Sequence, residues 1–181
     1  KPIAYFKSLN IPLYKTNRGG GLTYHWPGQI ICYPVLKLWP YEQNIPQYMS
    51  KLEEIGLKTL AEIGVAAHQK RDVTAQIGLW VGDNKIVSMG IRISRWVTSY
   101  GFALNLSGDT SPSHYIRPCG LDVDLITVES TIGKVPDIEK TKGLIRFYFE
   151  KIFRRHPMTN VNDHMQIQEI VNAYRNRTVP R

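Results

Sequence analysis

Few side chains in this 181-residue chain could carry covalent chemistry. The histidines, His25, His68, His114, His156 and His164, form no His-x-x-x-His pair. Their only cysteine neighbours are His25 with Cys32 and His114 with Cys119, so no metal site is expected. A Gly-x-Ser-x-Gly elbow is absent, although Ser88 lies in KIVSMG. Cysteine chemistry remains. Cys32, inside the apolar run IICYPVL, reads as an inert core residue, whereas Cys119, between Pro118 and Gly120, is expected to have an accessible sulfur. Attack on a thioester or other acyl carbon needs a thiolate, and a thiol of pKa about 8.5 needs a neighbouring cation to supply one. Arg117 lies two residues before it, across Pro118. Lys85, at the mouth of a turn, is the better cation if the fold brings that turn to the Cys119 loop.

A second candidate is RGGGLTYHWPGQ, Arg18 to Gln29. It lacks the Gly-Lys-Ser/Thr end of a phosphate-binding loop and has no strand-then-helix frame for a dinucleotide. Glycines there could simply serve a turn with positive φ. Three features favour a ligand: bare backbone amides can approach it closely, Thr23 and His25 can contact it, and Tyr24 and Trp26 can wall it.

The elements that must position these groups are legible as periodicities. Ile30 to Leu38 reads as a buried strand whose Pro34 indicates an edge or a bulge. Pro46 opens a helix with Met49, Leu52, Ile55, Leu60 and Ile63 on one face and Gly64 as its stop. IGLWVGDNKIVSMGIRISRWV reads as two strands joined through Gly82-Asp83-Asn84. YGFALNL alternates with Phe102, Leu104 and Leu106 on one face, and the loop SGDTSPSHYIRPCG follows, carrying Cys119. A last helix presents Ile138, Leu144, Ile145, Tyr148, Phe149, Ile152 and Phe153. Residues 157–181 form a polar tail expected to be poorly ordered. No repeat or linker divides the chain, so residues 1–181 read as one domain.

Composition bounds the partners. A hydrophobic fraction of 43% with 21% charged residues fits a domain with a real core. No apolar run approaches a membrane span, and the first residues do not have the charged-then-apolar layout expected of a secretory signal. Two isolated cysteines make no disulfide framework, which points to a reducing, intracellular compartment. The net charge of +8 calls for an acidic partner such as nucleic acid, an anionic membrane or an acidic protein. From Lys134 onward ten Lys/Arg face five Asp/Glu, without a dense basic block or a nucleic-acid motif.

Taken in order and at these separations, RGGGLTYHWPGQ, GLWVGDNKIVSMGI, YGFALNL and IRPCGL resemble the octanoyltransferase family of lipoate biosynthesis, from about Ile11 to His156. The resemblance implies an α+β fold, a mixed β-sheet flanked by helices like that of biotin and lipoate protein ligases. It implies a single catalytic domain without the strand and helix that family members carry ahead of this region. The implied activity moves an octanoyl group from octanoyl-acyl carrier protein, through a cysteine thioester, to the lysine of a lipoyl domain, with no cofactor and no metal. Cys119 would be the nucleophile and Lys85 the residue that lowers its pKa. Substrate binding would fall on Arg18, Gly19, Gly20, Gly21, Leu22, Thr23, Tyr24 and His25, on Ser88, Met89 and Gly90, and on Gly101, Phe102 and Ala103.

The implied acceptors are the lipoyl domains of 2-oxo acid dehydrogenase complexes and the glycine cleavage H protein. Such partners are acidic, which accounts for the charge without nucleic acid or membrane. A monomer is expected, in the bacterial cytoplasm or in a mitochondrial matrix or plastid. Two residues depart from the family pattern. Trp26 stands where glycine is usual and would narrow the pocket, and Tyr100 stands where histidine is usual, removing a proton carrier or hydrogen bond. Two rival readings are an ATP-dependent lipoate ligase, which would not need Cys119, and a non-catalytic basic binding module.

Overall fold

A computed structural model of the chain describes residues 12–70, 77–115 and 123–156. The strands are β1 (Gln29–Cys32), β2 (His68–Gln69), β3 (Gly78–Val81), β4 (Asn84–Ser94) and β5 (Val97–Asn105), and the helices α1 (Ile45–Glu62), α2 (Val128–Ile132) and α3 (Ile138–Phe153). The strands form one sheet in the order β1-β5-β4-β3-β2. Its ladders are antiparallel, and an isolated parallel bridge between Lys85 and Leu125 makes the pairing mixed there. The expected α+β class is therefore observed.

Two hairpins build the centre. In the first, Gly82 takes φ 56° between β3 and β4, where a two-residue turn favours glycine. The second joins β4 to β5 through Arg95 (φ 48°) and Trp96 (φ 59°). Left-handed backbone at such residues costs roughly 1–2 kcal/mol each. The Lys37–Leu38 segment fastens this turn: Lys37 Nζ donates to the Arg95 carbonyl at 2.7 Å, and the Leu38 amide donates to the Trp96 carbonyl at 2.8 Å. A turn without glycine or asparagine leaves no local signal, and the alternating stretch that begins at Tyr100 is the later part of a strand that runs from Val97 to Asn105.

The helices are capped as their sequences require. Asn44 Oδ1 accepts from the Gln47 amide at 2.9 Å and Asp137 Oδ1 from the Lys140 amide at 2.9 Å. Pro46 lies in the first turn of α1, and Gly64 ends it at φ 85°. The apolar faces of α1 (Tyr48, Leu52, Ile55, Leu60) and α3 (Ile145, Phe149, Phe153) close over Ile30, Leu79, Val87, Phe102 and Leu104 of the sheet. Burying such side chains contributes about 1.5–3 kcal/mol each. Among the described residues, no helix is long and apolar enough to cross a membrane.

One expectation changes, and one irregularity of pairing bears on Lys85. The strand read over Ile30–Leu38 ends at Cys32, on the sheet edge, because Pro34 cannot donate to a ladder; Lys37 returns only as a single bridge to Val97. The register of β3 on β4 also shifts. Leu79 pairs with Val87 but Trp80 pairs with Lys85, so Ile86 is an extra residue. Strict alternation would put Lys85 on the core face with Val87. The bulge turns Lys85 to the other face, with Trp80 and Ser88, while Ile86 and Val87 both stay in the core. The tail, residues 157–181, lies outside the described residues.

Candidate functional site

The glycine-rich stretch runs beside β4 where β3 has stopped. The β3 ladder ends at Gly78–Ser88, and the Gly19 amide then donates to the Ile91 carbonyl at 2.8 Å. Gly20 adopts φ 90°, a conformation that side chains with a Cβ rarely accept. Gly90 permits the close approach: a Cβ there would lie 2.9 Å from the Gly19 carbonyl oxygen and 3.0 Å from Arg18 Cδ. The stretch thus becomes a wall with a cleft on each side.

One cleft, about 680 Å³, is lined by Arg18 and Gly20–His25 together with Pro12, Leu13, Tyr14, Thr16, Tyr33, Tyr100 and Pro112. The other, about 490 Å³, is lined by Arg18–Thr23, Ser88–Ile91, Ile45, Met49, Ile77 and Lys85. Both volumes are of the size that small ligands occupy, about 300–1,000 Å³. Leu22, Ile45, Met49, Ile77, Met89 and Ile91 give the second cleft apolar walls. A narrow space between Arg18, Thr23, His25, Ser88 and the Gly101–Ala103 strand connects the same residues. There Phe102 contributes backbone, because its side chain is in the core.

Lys85 is 5% exposed, and its Nζ donates to the Ile77 carbonyl at 3.1 Å and lies 4.7 Å from the Trp80 ring centroid. Its main chain is held from both sides: the Lys85 amide donates to the Asp124 carbonyl at 2.9 Å, and the Ile126 amide donates to the Lys85 carbonyl at 3.1 Å. Cys119 lies outside the described residues, five positions before Asp124 in sequence. Cys32 is half-buried against the core, and burial pushes its thiol up to about 12, so it is a poor nucleophile at neutral pH.

Structure thus places Arg18–His25, Lys85, Ser88–Gly90 and Gly101–Ala103 around one cleft system. It corrects the reading of Trp26. The indole is buried, stacks on Tyr24 with centroids 5.6 Å apart, and donates Nε1–H to the Ser107 carbonyl at 2.9 Å. It packs toward Gly108 and is not among the residues that line either cleft. Tyr100 does line the first cleft, and its hydroxyl donates to Asn17 Oδ1 at 3.2 Å, tying down the segment before the glycines. Gln29, Asn105 and Trp80 were not singled out from the sequence. A lone Asn inside the apolar YGFALNL was the available signal, since a buried amide must find partners.

Residues 1–173 match the family described as the lipoyl protein ligase A/B catalytic domain. The chain belongs to that family. An octanoyltransferase of Solibacter usitatus (strain Ellin6076) is 39% identical over 143 residues, covering 79% of this chain and 63% of that protein. This chain therefore spans less than two thirds of that relative's length. Among solved structures, lipoate-protein ligase A bound with ATP superposes with a TM-score of 0.67 at 13% identity, covering 94% of this chain and 72% of that one. Biotin protein ligase from Aquifex aeolicus superposes with a TM-score of 0.55 at 16% identity, covering 70% and 53%. The fold is thus that of the lipoyl protein ligase A/B family and its biotin-ligase neighbours.

Proposed function

We propose that the chain transfers an octanoyl group from octanoyl-acyl carrier protein to the lysine of a lipoyl domain, through a thioester on Cys119. The observation that carries the reading is the apolar cleft of about 490 Å³ with the buried Lys85 ammonium on its wall. An eight-carbon chain fits apolar walls, and a fixed cation beside the reacting thioester favours the thiolate over the thiol. Identity supports the same choice, being 39% with an octanoyltransferase against 13% with the ATP-bound ligase of the same fold.

In this reading Cys119 attacks the thioester carbonyl, the carrier thiol leaves, and the lysine amine of the acceptor displaces the acyl group from sulfur. Arg18 to His25, Ser88 to Gly90 and Gly101 to Ala103 line the path of the chain and its carbonyl. The test is intact-mass spectrometry after mixing the protein with octanoyl-acyl carrier protein in the absence of ATP. An octanoyl adduct that moves to a lipoyl domain is the expected result. Acyl transfer that occurs only with free octanoate and ATP would replace this reading with a ligase, and salt-sensitive binding without any adduct would replace it with a binding module.

A further inference from the structure

Asn105 is fully buried in β5, and its Nδ2 donates to two main-chain carbonyls, those of Lys85 at 3.3 Å and Ile126 at 3.1 Å. A carbonyl oxygen only accepts, so these bonds decide which end of the amide is nitrogen and turn Oδ1 the other way. Oδ1 accepts from Gln29 Nε2 at 2.9 Å, across the Gln29–Asn105 pair that opens the β1–β5 ladder. The Gln29 amide is thereby oriented in its turn, and its Oε1 faces His25 Nδ1 at 2.8 Å. An amide oxygen also only accepts, so the hydrogen sits on Nδ1. In the neutral ring Nε2 is then the bare acceptor.

We propose that Gln29 and Asn105 are positioning residues that hold His25 as the Nδ1–H tautomer, so that its Nε2 receives the proton of the amine attacking an acyl thioester in the cleft. The proton's source rests on the acyl-transfer reading above, whereas the tautomer does not. In the step, the amine nitrogen forms the C–N bond and the C–S bond breaks with its electron pair leaving on sulfur. The amine proton passes to Nε2, and the imidazolium keeps its Nδ1–H on Gln29 Oε1 until it releases a proton to solvent. Among the described residues, the charged and titratable groups sharing the clefts with His25 are Arg18, Tyr14, Tyr24, Tyr33, Tyr100 and, further along the wall, Lys85. None of these is a carboxylate. An amide partner fixes the ring without holding it as the cation, which a base that must cycle requires. Because the relay ends on the Lys85 carbonyl, it also ties the ring's position to the strand that carries Lys85.

Two measurements test this. Nitrogen-15 long-range NMR of the neutral His25 ring should show Nδ1–H in the unaltered protein and a shift toward Nε2–H in Gln29→Leu. An Nε2–H ring in the unaltered protein, or a ring unchanged by Gln29→Leu, overturns the relay whatever the protein's activity. In single turnover, Gln29→Leu should slow transfer from the acyl-enzyme to the lipoyl domain tenfold or more while acyl-enzyme formation stays within about twofold, since a positioned base contributes about 10²–10⁴-fold. Gln29→Glu, which still accepts from Nδ1–H but does so as an anion, should restore the tautomer and move the rising limb of the transfer step to higher pH. Equal transfer rates and identical pH profiles in all three proteins overturn the role in catalysis. If the unaltered protein forms no acyl-enzyme, it is the octanoyl reading that fails, and the NMR result still decides the relay.

Discussion

The Lys85 ammonium sits 4.7 Å from the centroid of the Trp80 indole, on the face of the sheet to which the extra residue Ile86 turns it. A buried lysine is costly unless its charge is compensated. Here the ring face and the Ile77 carbonyl supply that compensation. Trp80→Leu should therefore loosen the ammonium and slow acyl-enzyme formation by roughly 2- to 30-fold, the factor that a cation–π attraction of about 0.5–2 kcal/mol represents. Initial rates of mass adduct formation measure this, and an unchanged rate would show that Trp80 does not position Lys85.

Lys85→Met keeps the thiol of Cys119 but removes the cation assigned to it. Adduct formation should slow near neutral pH and partly recover in alkali, where the thiol ionises without help. A thiol titration of Cys119 that is identical with and without Lys85 would contradict the assignment.

Cys32 and Cys119 should separate cleanly. With its thiol pushed to about 12, Cys32 is thiolate in on the order of one molecule in ten thousand at about pH 8. Iodoacetamide should label the folded chain once, and Cys32→Ala should still form the acyl adduct while Cys119→Ala forms none. The same burial acts on stability: the folded state holds the proton above the ordinary thiol value, so its contribution is complete below that value and is lost as pH rises toward 12. Denaturant midpoints of Cys32→Ala should consequently fall less steeply over that alkaline range than those of the parent.

Gly90→Ala should expel the glycine stretch from its place on the sheet, because the new methyl would lie 2.9 Å from the Gly19 oxygen. Gly20→Val should do the same from the other side, since valine disfavours φ 90°. Acyl transfer should be abolished in Gly20→Val and reduced at least tenfold in Gly90→Ala, with circular dichroism showing the sheet retained. Normal turnover by either variant would remove the stretch from the site.

Trp26→Ala should leave the acyl-chain profile unchanged and lower stability by about 3–5 kcal/mol, the cost of emptying a buried tryptophan site. Its indole is 7% exposed and hydrogen-bonded to Ser107. A shift toward longer acyl groups in Trp26→Ala would return the indole to the pocket wall.

Sequence alone determined the elements whose signals are local. Pro46 opens α1, Gly64 ends it, Gly82-Asp83-Asn84 turns β3 into β4, and the spacing of Ile145, Phe149 and Phe153 sets the buried stripe of α3. The glycine stretch Arg18–Gln29 could be read as a ligand wall from its residue types, whereas Ser88–Gly90 and Gly101–Ala103 followed only from the family resemblance. What depends on partners far along the chain was decided by tertiary structure. The turn at Arg95-Trp96 carries no turn residue and is held by Lys37 and Leu38. Trp26 reads equally well as a pocket wall or as core until the Ser107 carbonyl claims its N–H. Alternation places Lys85 in the core, and a single extra residue opposite β3 reverses its side chain to the cleft face. Periodicity is a property of one strand, but a bulge is a property of two, so the direction of the most consequential side chain in the described site could be fixed only by pairing.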